Sequence, residues 1–164
     1  MNFEFRVINQ NHIEQLWDLS LELKEEKAGV HFVSIDSKED IEKMLEDPDI
    51  YLFGAFEKEQ LIGAFSARRG KGNKRHSCHI AAAFTKACRG KGISQKLMDY
   101  ALGHLKQEGI WMIRAYVYSY NKASVASLLS CGFTCSGTVH KLQWNEKEGR
   151  YIDDLIFHKD LSCQ

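Results

Sequence analysis

An apolar run, Ile80-Ala81-Ala82-Ala83-Phe84, gives way through Arg89-Gly90-Lys91-Gly92-Ile93-Ser94 to an amphipathic pattern that keeps Leu97, Ala101, Leu102 and Leu105 together on one helical face. A strand that passes through a two-glycine loop into a helix has a tightly constrained corner. The glycines let the backbone turn sharply and bring its N–H groups close to a ligand, and the N-terminus of the following helix adds partial positive charge. That combination suits an anion, and Arg89 and Lys91 add full charges. A Gly-rich turn with basic residues is also an ordinary solvated connection, so the string needs a second signal beside it.

The second signal is a strand-like Ile113-Arg114-Ala115-Tyr116-Val117-Tyr118 followed by Asn121-Lys122-Ala123-Ser124 and, at the end of a helical stretch, Gly132-Phe133. Asn121 is a good N-cap and Gly132 a good C′ residue, with Val125, Leu128 and Leu129 on one face between them. The pairing of an R-x-x-G-x-G-like segment with N-x-x-S…G-F, in this order and separation, resembles the GCN5-related N-acetyltransferases (the GNAT superfamily) over roughly residues 50–160. The resemblance implies an α/β (α+β) fold with a mixed, mostly antiparallel central sheet and helices on both faces. It also implies acetyl-coenzyme A as co-substrate, with pyrophosphate and pantetheine at the first segment and the thiol beside the second. Carried over residue by residue, the cofactor-binding positions are Phe84 (through main chain only), Arg89, Gly90, Lys91, Gly92, Ile93, Ser94 and Asn121. Ser94 departs from the family's usual Gly or Ala; it is small enough to allow close approach, and its hydroxyl either donates to a phosphate or caps the helix.

Length and composition fit. A chain of 164 residues with 44% hydrophobic content can bury a sizeable core and reads as one domain, residues 1–164. Lys and Arg total 22 and so do Asp and Glu, so nothing argues for bulk attraction to nucleic acid or an anionic membrane. The one dense basic cluster, Arg68-Arg69-Gly70-Lys71-Gly72-Asn73-Lys74-Arg75, reads as a flexible loop between strands; it is either a solvated tip or a receiver for the 3′-phosphate of coenzyme A or an acidic partner. Cys78, Cys88, Cys131, Cys135 and Cys163 form no C-x-x-C pair and no metal spacing with histidine, so no metal is expected. Reduced thiols, no signal segment and no apolar run of spanning length point to the cytoplasm, as a monomer or homodimer.

Alternation and capping predict an edge strand at residues 3–7, then a helix capped by Asn11 with Glu14 and running to about Lys27. A second helix starts at Ser37, with Ile41, Met44 and Leu45 on one side and Pro48 past its end. The loop between them, 29–36, carries His31 and Phe32 where the family usually covers the acceptor. A hairpin follows (50–56 and 61–67, turning at Glu57-Lys58-Glu59), then a strand over 76–84, a helix over 92–107, a strand over 111–118 and a final hairpin of 136–144 and 151–158.

Acetyl transfer to an amine needs proton removal, because an alkylamine with a pKa of about 10 is mostly protonated at neutral pH. The family's base stands eleven residues before the motif Arg, which here is Cys78. A thiol replaces a carboxylate poorly, and without an assured histidine partner it lacks the base that an acyl carrier needs. His76 shares its face by alternation and is either structural or a base acting through water, whereas His79 points the other way. Tyr116, five residues before Asn121, is either a packing aromatic or the phenol that orders such a water, and Tyr118 shares its face. The family's frequent general acid, a Tyr seven residues after the Asn, is Leu128 here, so Tyr116 or Tyr120 replaces it or the thiolate leaves unassisted. For the acceptor, Asp153, Asp154, Glu22, Glu25 and Glu26 are candidates to attract a cationic amine. The expected activity is transfer of acetyl from acetyl-CoA to a primary amine of a small molecule or peptide N-terminus, by direct attack in a ternary complex. The alternatives are a non-catalytic acyl-CoA sensor or regulatory module and, more distantly, a generic phosphate-binding module.

Overall fold

The computed structural model describes residues 3–26, 34–146 and 148–162. Its strands are β1 (Phe3–Val7), β2 (Ile50–Glu57), β3 (Gln60–Arg69), β4 (Ser77–Phe84), β5 (Met112–Tyr118), β6 (Thr134–Asn145) and β7 (Arg150–Asp160); its helices are α1 (Ile13–Glu25), α2 (Lys38–Glu46), α3 (Ile93–Gln107) and α4 (Lys122–Ser130). The strands form one sheet in the order β1-β2-β3-β4-β5-β7-β6. Every neighbouring pair is antiparallel except β4 and β5. Strand alternation sends Phe53, Phe65, Ile80, Ile113 and Phe157 into a core with Leu97, Leu105 and Leu128, the α3 and α4 side. Leu52, Phe56, Ala64 and Ala83 meet Leu16, Leu19, Leu23 and Ile41 from α1 and α2 on the other face. This is the mixed α/β architecture that the sequence implied.

The ends of the elements show which local chemistry won. The start of α1 is fixed upstream of Asn11: the Asn9 side chain accepts from Asn11 N–H and the Asn9 N–H donates to His12 Nδ1, closing a 3-10 turn over Gln10–His12 from which the helix grows. Leu16, Leu19 and Leu23 are buried in the core with Ile13 and Trp17 packed against it partly exposed, and Leu21 stays 39% exposed, because a helix has one face to offer a sheet. Ser37 does cap α2, its hydroxyl accepting from Asp40 N–H while the Asp40 carboxylate accepts from Ser37 N–H. The stretch holding His31 and Phe32 lies outside the described residues, as does Cys163. In α4, Phe133 N–H donates to Leu128 carbonyl and Gly132 N–H to Leu129 carbonyl around a left-handed Gly132 (φ 78°), a Schellman ending that docks Phe133 beside Leu128. Leu129, expected on the inner face, is 54% exposed.

The β2–β3 turn is shorter than expected, with only Lys58 and Glu59 between the strands, both left-handed (φ 49° and 67°). Two positive φ values suit a tight hairpin but favour Asn-Gly. The double variant Lys58→Asn/Glu59→Gly is therefore expected to raise stability by about 1 kcal/mol, the released strain exceeding the small loss of the exposed Arg6–Glu59 pair. An unchanged or lower melting temperature would contradict it.

The basic cluster is a built connection rather than a flexible tip: a 3-10 turn spans Gly72–Lys74, Arg69 Nε donates to Arg75 carbonyl at 2.8 Å, and Arg75 pairs with Asp49 at 3.2 Å. It precedes β4, whereas the glycine corner follows it. Eight residues of strand put them about 25 Å apart, too far for the cluster to receive the 3′-phosphate of a coenzyme whose pyrophosphate sits at the corner.

Candidate active site

Pairing between β4 and β5 stops at Ile80 opposite Ala115. Beyond that point residues 81–84 and 116–118 part, so their facing main-chain groups lose the ladder and a cavity of about 970 Å³ opens, closed by α3 and α4. At its end stands the glycine corner. Gly90 and Gly92 have φ of 75° and 72°, and a Cβ at either would meet nothing within 4 Å, so what they supply is conformation and not space. Gly92 is the N-cap of α3 and makes no side-chain cap; with no acidic residue in the first turn, the N–H groups there face the cavity end unneutralised. These features fit a pyrophosphate and an extended thiol arm.

Of the expected cofactor positions, Phe84, Arg89, Gly90, Gly92, Ile93, Ser94 and Asn121 line this cavity, while Lys91 does not. Ile93 is 1% exposed, so its side chain serves the core and only its main chain is available. The Phe84 carbonyl accepts from Arg89 Nε at 3.0 Å, and its ring lies over Gly63, where an added Cβ would come within 2.2 Å. Asn121 accepts from Ser124 N–H at 3.1 Å, capping α4 at the cavity wall. Two carboxylates suggested for the acceptor instead brace the corner: Glu26 pairs with Arg89 at 2.8 Å and Glu22 accepts from Lys86 N–H at 3.0 Å.

A second cavity, about 620 Å³, lies between α2, β3 and β4 on the opposite face of the sheet and meets the first at Ile80, Ala81 and Tyr116. Tyr116 lines both, and its ring stacks on His79 at 5.1 Å and 11°. His79 was set aside in the sequence because it points away from Cys78. That orientation is what brings it to the junction. Burial, then Arg114 and Lys74, hold its pKa below the ordinary value, so the imidazole is neutral at neutral pH.

Cys78 and His76 belong elsewhere. Cys78 is 0% exposed in the core under α3, and burial pushes its thiol up to about 12 against the opposing pull of Arg114 and Arg69, so no thiolate forms to act as base or acyl carrier. His76 stands before β4, its carbonyl accepting from Trp111 and Met112 N–H and its ring against Trp111 at 4.7 Å; this is a strand-end packing role some four residues short of the junction. Asp153 accepts from Lys141 N–H at 2.8 Å and is tied up in the final hairpin. Tyr120 lines the first cavity, stacked on Tyr118, its phenol raised by burial and then by Tyr118 and Glu148. Leu128, 6% exposed, occupies the wall where the family's acid would stand. Among the described residues no three His, Cys, Asp or Glu side chains group to hold a metal ion.

The acetyltransferase (GNAT) domain model matches residues 5–156, so the chain belongs to the GNAT family of acetyltransferases. Among curated proteins no sequence match was found. Solved structures share the fold. A ribosomal-protein-alanine N-acetyltransferase from Brucella melitensis aligns with TM-score 0.85 and 21% identity over 96% of this chain and 99% of its own. A GNAT-family acetyltransferase from Streptococcus pneumoniae gives 0.87 and 16% over 98% and 100%. The yncA structure from Salmonella typhimurium, solved with its cofactor acetyl-CoA, gives 0.87 and 17% over 99% and 95%.

Proposed function

We propose that residues 1–164 form one N-acetyltransferase domain that moves acetyl from acetyl-CoA to a primary amine of a small molecule or peptide, by direct attack in a ternary complex. The observation that carries this reading is the meeting of two cavities at Tyr116, one built for a phosphorylated thiol arm and the other opening from the opposite face. Bound in the first cavity, acetyl-CoA supplies a thioester carbonyl to the acceptor's amine. The α3 N-terminus, Gly90, Gly92 and Arg89 hold the anionic end, Asn121 and the unpaired edges of β4 and β5 hold the arm, and the neutral His79 imidazole takes, through a water that the Tyr116 hydroxyl orders, the proton that the amine loses as the N–C bond forms and the C–S bond breaks. The thiolate departs without an acid from α4, tolerable for a leaving group of pKa about 8.5.

Leu128 favours a second reading, a non-catalytic acyl-CoA sensor, since the wall offers no phenol at that point.

The pH profile tests the catalytic reading. His79 accepts a proton only when neutral, and its pKa is held below the ordinary imidazole value, so kcat/KM is expected to stay level through neutral pH and to fall with one limb on the acid side. In His79→Gln the limb should vanish. A limb centred above pH 7, or one that survives the substitution, would remove His79 from the reaction.

A further inference from the structure

The sheet face that α1 and α2 leave uncovered beyond β4 carries a row of basic side chains. Register places Arg68 opposite His79, His79 opposite Arg114 and Arg114 opposite His158, on four neighbouring strands. Two guanidiniums, Arg68 and Arg114, thus flank the neutral His79 from either side, and a partly buried guanidinium calls for an anionic or hydrogen-bonding partner. Arg68 has Asp47 at 3.5 Å. Arg114, half-buried, makes no hydrogen bond or ion pair among the described residues, and His79 has only its stacking partner. Arg68, His79 and Tyr116 line the second cavity, and Arg114 stands next to His79 on β5, outside that lining. Asp40, Lys43 and Asp47 line it too, but Asp40 is engaged with Ser37 N–H and with Lys43, and Asp47 with Arg68; Lys74, from the 3-10 turn, adds positive charge near His79. Two positions along the strands the same face carries Tyr116 and Ile156, then Tyr118 and Asp154. Positive charge therefore gives way to phenols and a carboxylate toward the place where the cavities meet.

We infer that the acceptor is an α-amino carboxylate, its carboxylate held by Arg114 with Arg68 and its amine presented at Tyr116. The inference rests on the acetyltransferase reading and names that site's substrate class. A planar guanidinium with free donors matches a carboxylate in two-point geometry. Arg114 and Tyr116 stand two residues apart, about 7 Å along the strand, which suits one hydrogen bond of about 2.9 Å at each end of a molecule whose amine and carboxylate share one carbon. A polyamine would bring cations against the row. Ile35, Met44 and Ile50 give the cavity an apolar wall for the acceptor's side chain.

The test compares leucine with leucinamide as acceptors under saturating acetyl-CoA. Leucine is expected to show at least tenfold higher kcat/KM; Arg114→Gln lowers the leucine value by about 10- to 100-fold, the loss of a charged hydrogen-bonded pair, and leaves leucinamide within about twofold. Arg114→Lys, which keeps the charge, should recover part of the loss. A second readout needs no turnover: N-acetylleucine, followed by NMR of the His79 ring, should raise that imidazole's pKa, and N-acetylleucinamide should not. If no amine is acetylated at all, the transferase reading falls and the NMR arm alone decides the carboxylate site. Equal or faster reaction of leucinamide, an unchanged preference in Arg114→Gln, or a His79 titration that N-acetylleucine leaves unmoved would each overturn the inference.

Discussion

Gly92→Asp is expected to weaken acetyl-CoA binding by about 10²- to 10³-fold, equivalent to roughly 3–4 kcal/mol. Two effects add. The left-handed φ of 72° disfavours any side chain, by about 1–2 kcal/mol, so the corner relaxes away from the shape that presents its N–H groups. The new carboxylate also satisfies those N–H groups itself and repels the phosphates. Because aspartate is a good cap for a helix that has none, the free protein should melt close to the wild type while the shift on adding cofactor disappears. Gly92→Ala separates the effects: open space above Gly92 means that only the conformational cost remains, about tenfold in affinity. Calorimetry on both variants checks this, and a Gly92→Asp dissociation constant within about threefold of the wild type would dissociate the corner from the cofactor.

Tyr116→Phe is expected to lower kcat by about 10²-fold with cofactor affinity unchanged, the low end for a positioned proton carrier. The ring and its stacking on His79 survive the change, so lost packing does not account for the effect. If the two side chains work as one relay, Tyr116→Phe combined with His79→Gln should cost little more than either alone. Cys78→Ala should retain the activity of the wild type per folded molecule, since a buried thiol pushed up to about 12 holds its proton throughout. Additive losses in the double variant would mean that the residues act separately, and a fully active Tyr116→Phe would leave bulk water as the proton acceptor.

The parts of the fold legible in the sequence were those where local signals agree with tertiary need. Asn121 and Gly132 bound α4 because capping chemistry is local, and the corner at Gly90 and Gly92 is readable because a left-handed backbone leaves its mark in residue type. Asn11 failed as a cap because His12, through a ring nitrogen, does the work usually done by a glutamate, a pairing that no spacing rule anticipates. At the candidate site, strand alternation correctly set His79 against Cys78. What alternation cannot tell is which face is covered. The face of Cys78 lies under α3, while that of His79 lies where α1 and α2 stop, and this depends on packing between distant segments. The row from Arg68 to His158 was hidden for the same reason: its members are scattered along the chain and become neighbours only through register.

Thiol release from acetyl-CoA, followed with a panel of primary amines that spans amino acids, peptides with free N-termini and polyamines, tests the central claim most directly. The account predicts release that depends on the amine, saturates with it, and yields one acetylated amine per thiol. Tight acetyl-CoA binding with no release above the rate of hydrolysis, across the whole panel, would contradict transfer and leave the protein as a sensor of the cofactor.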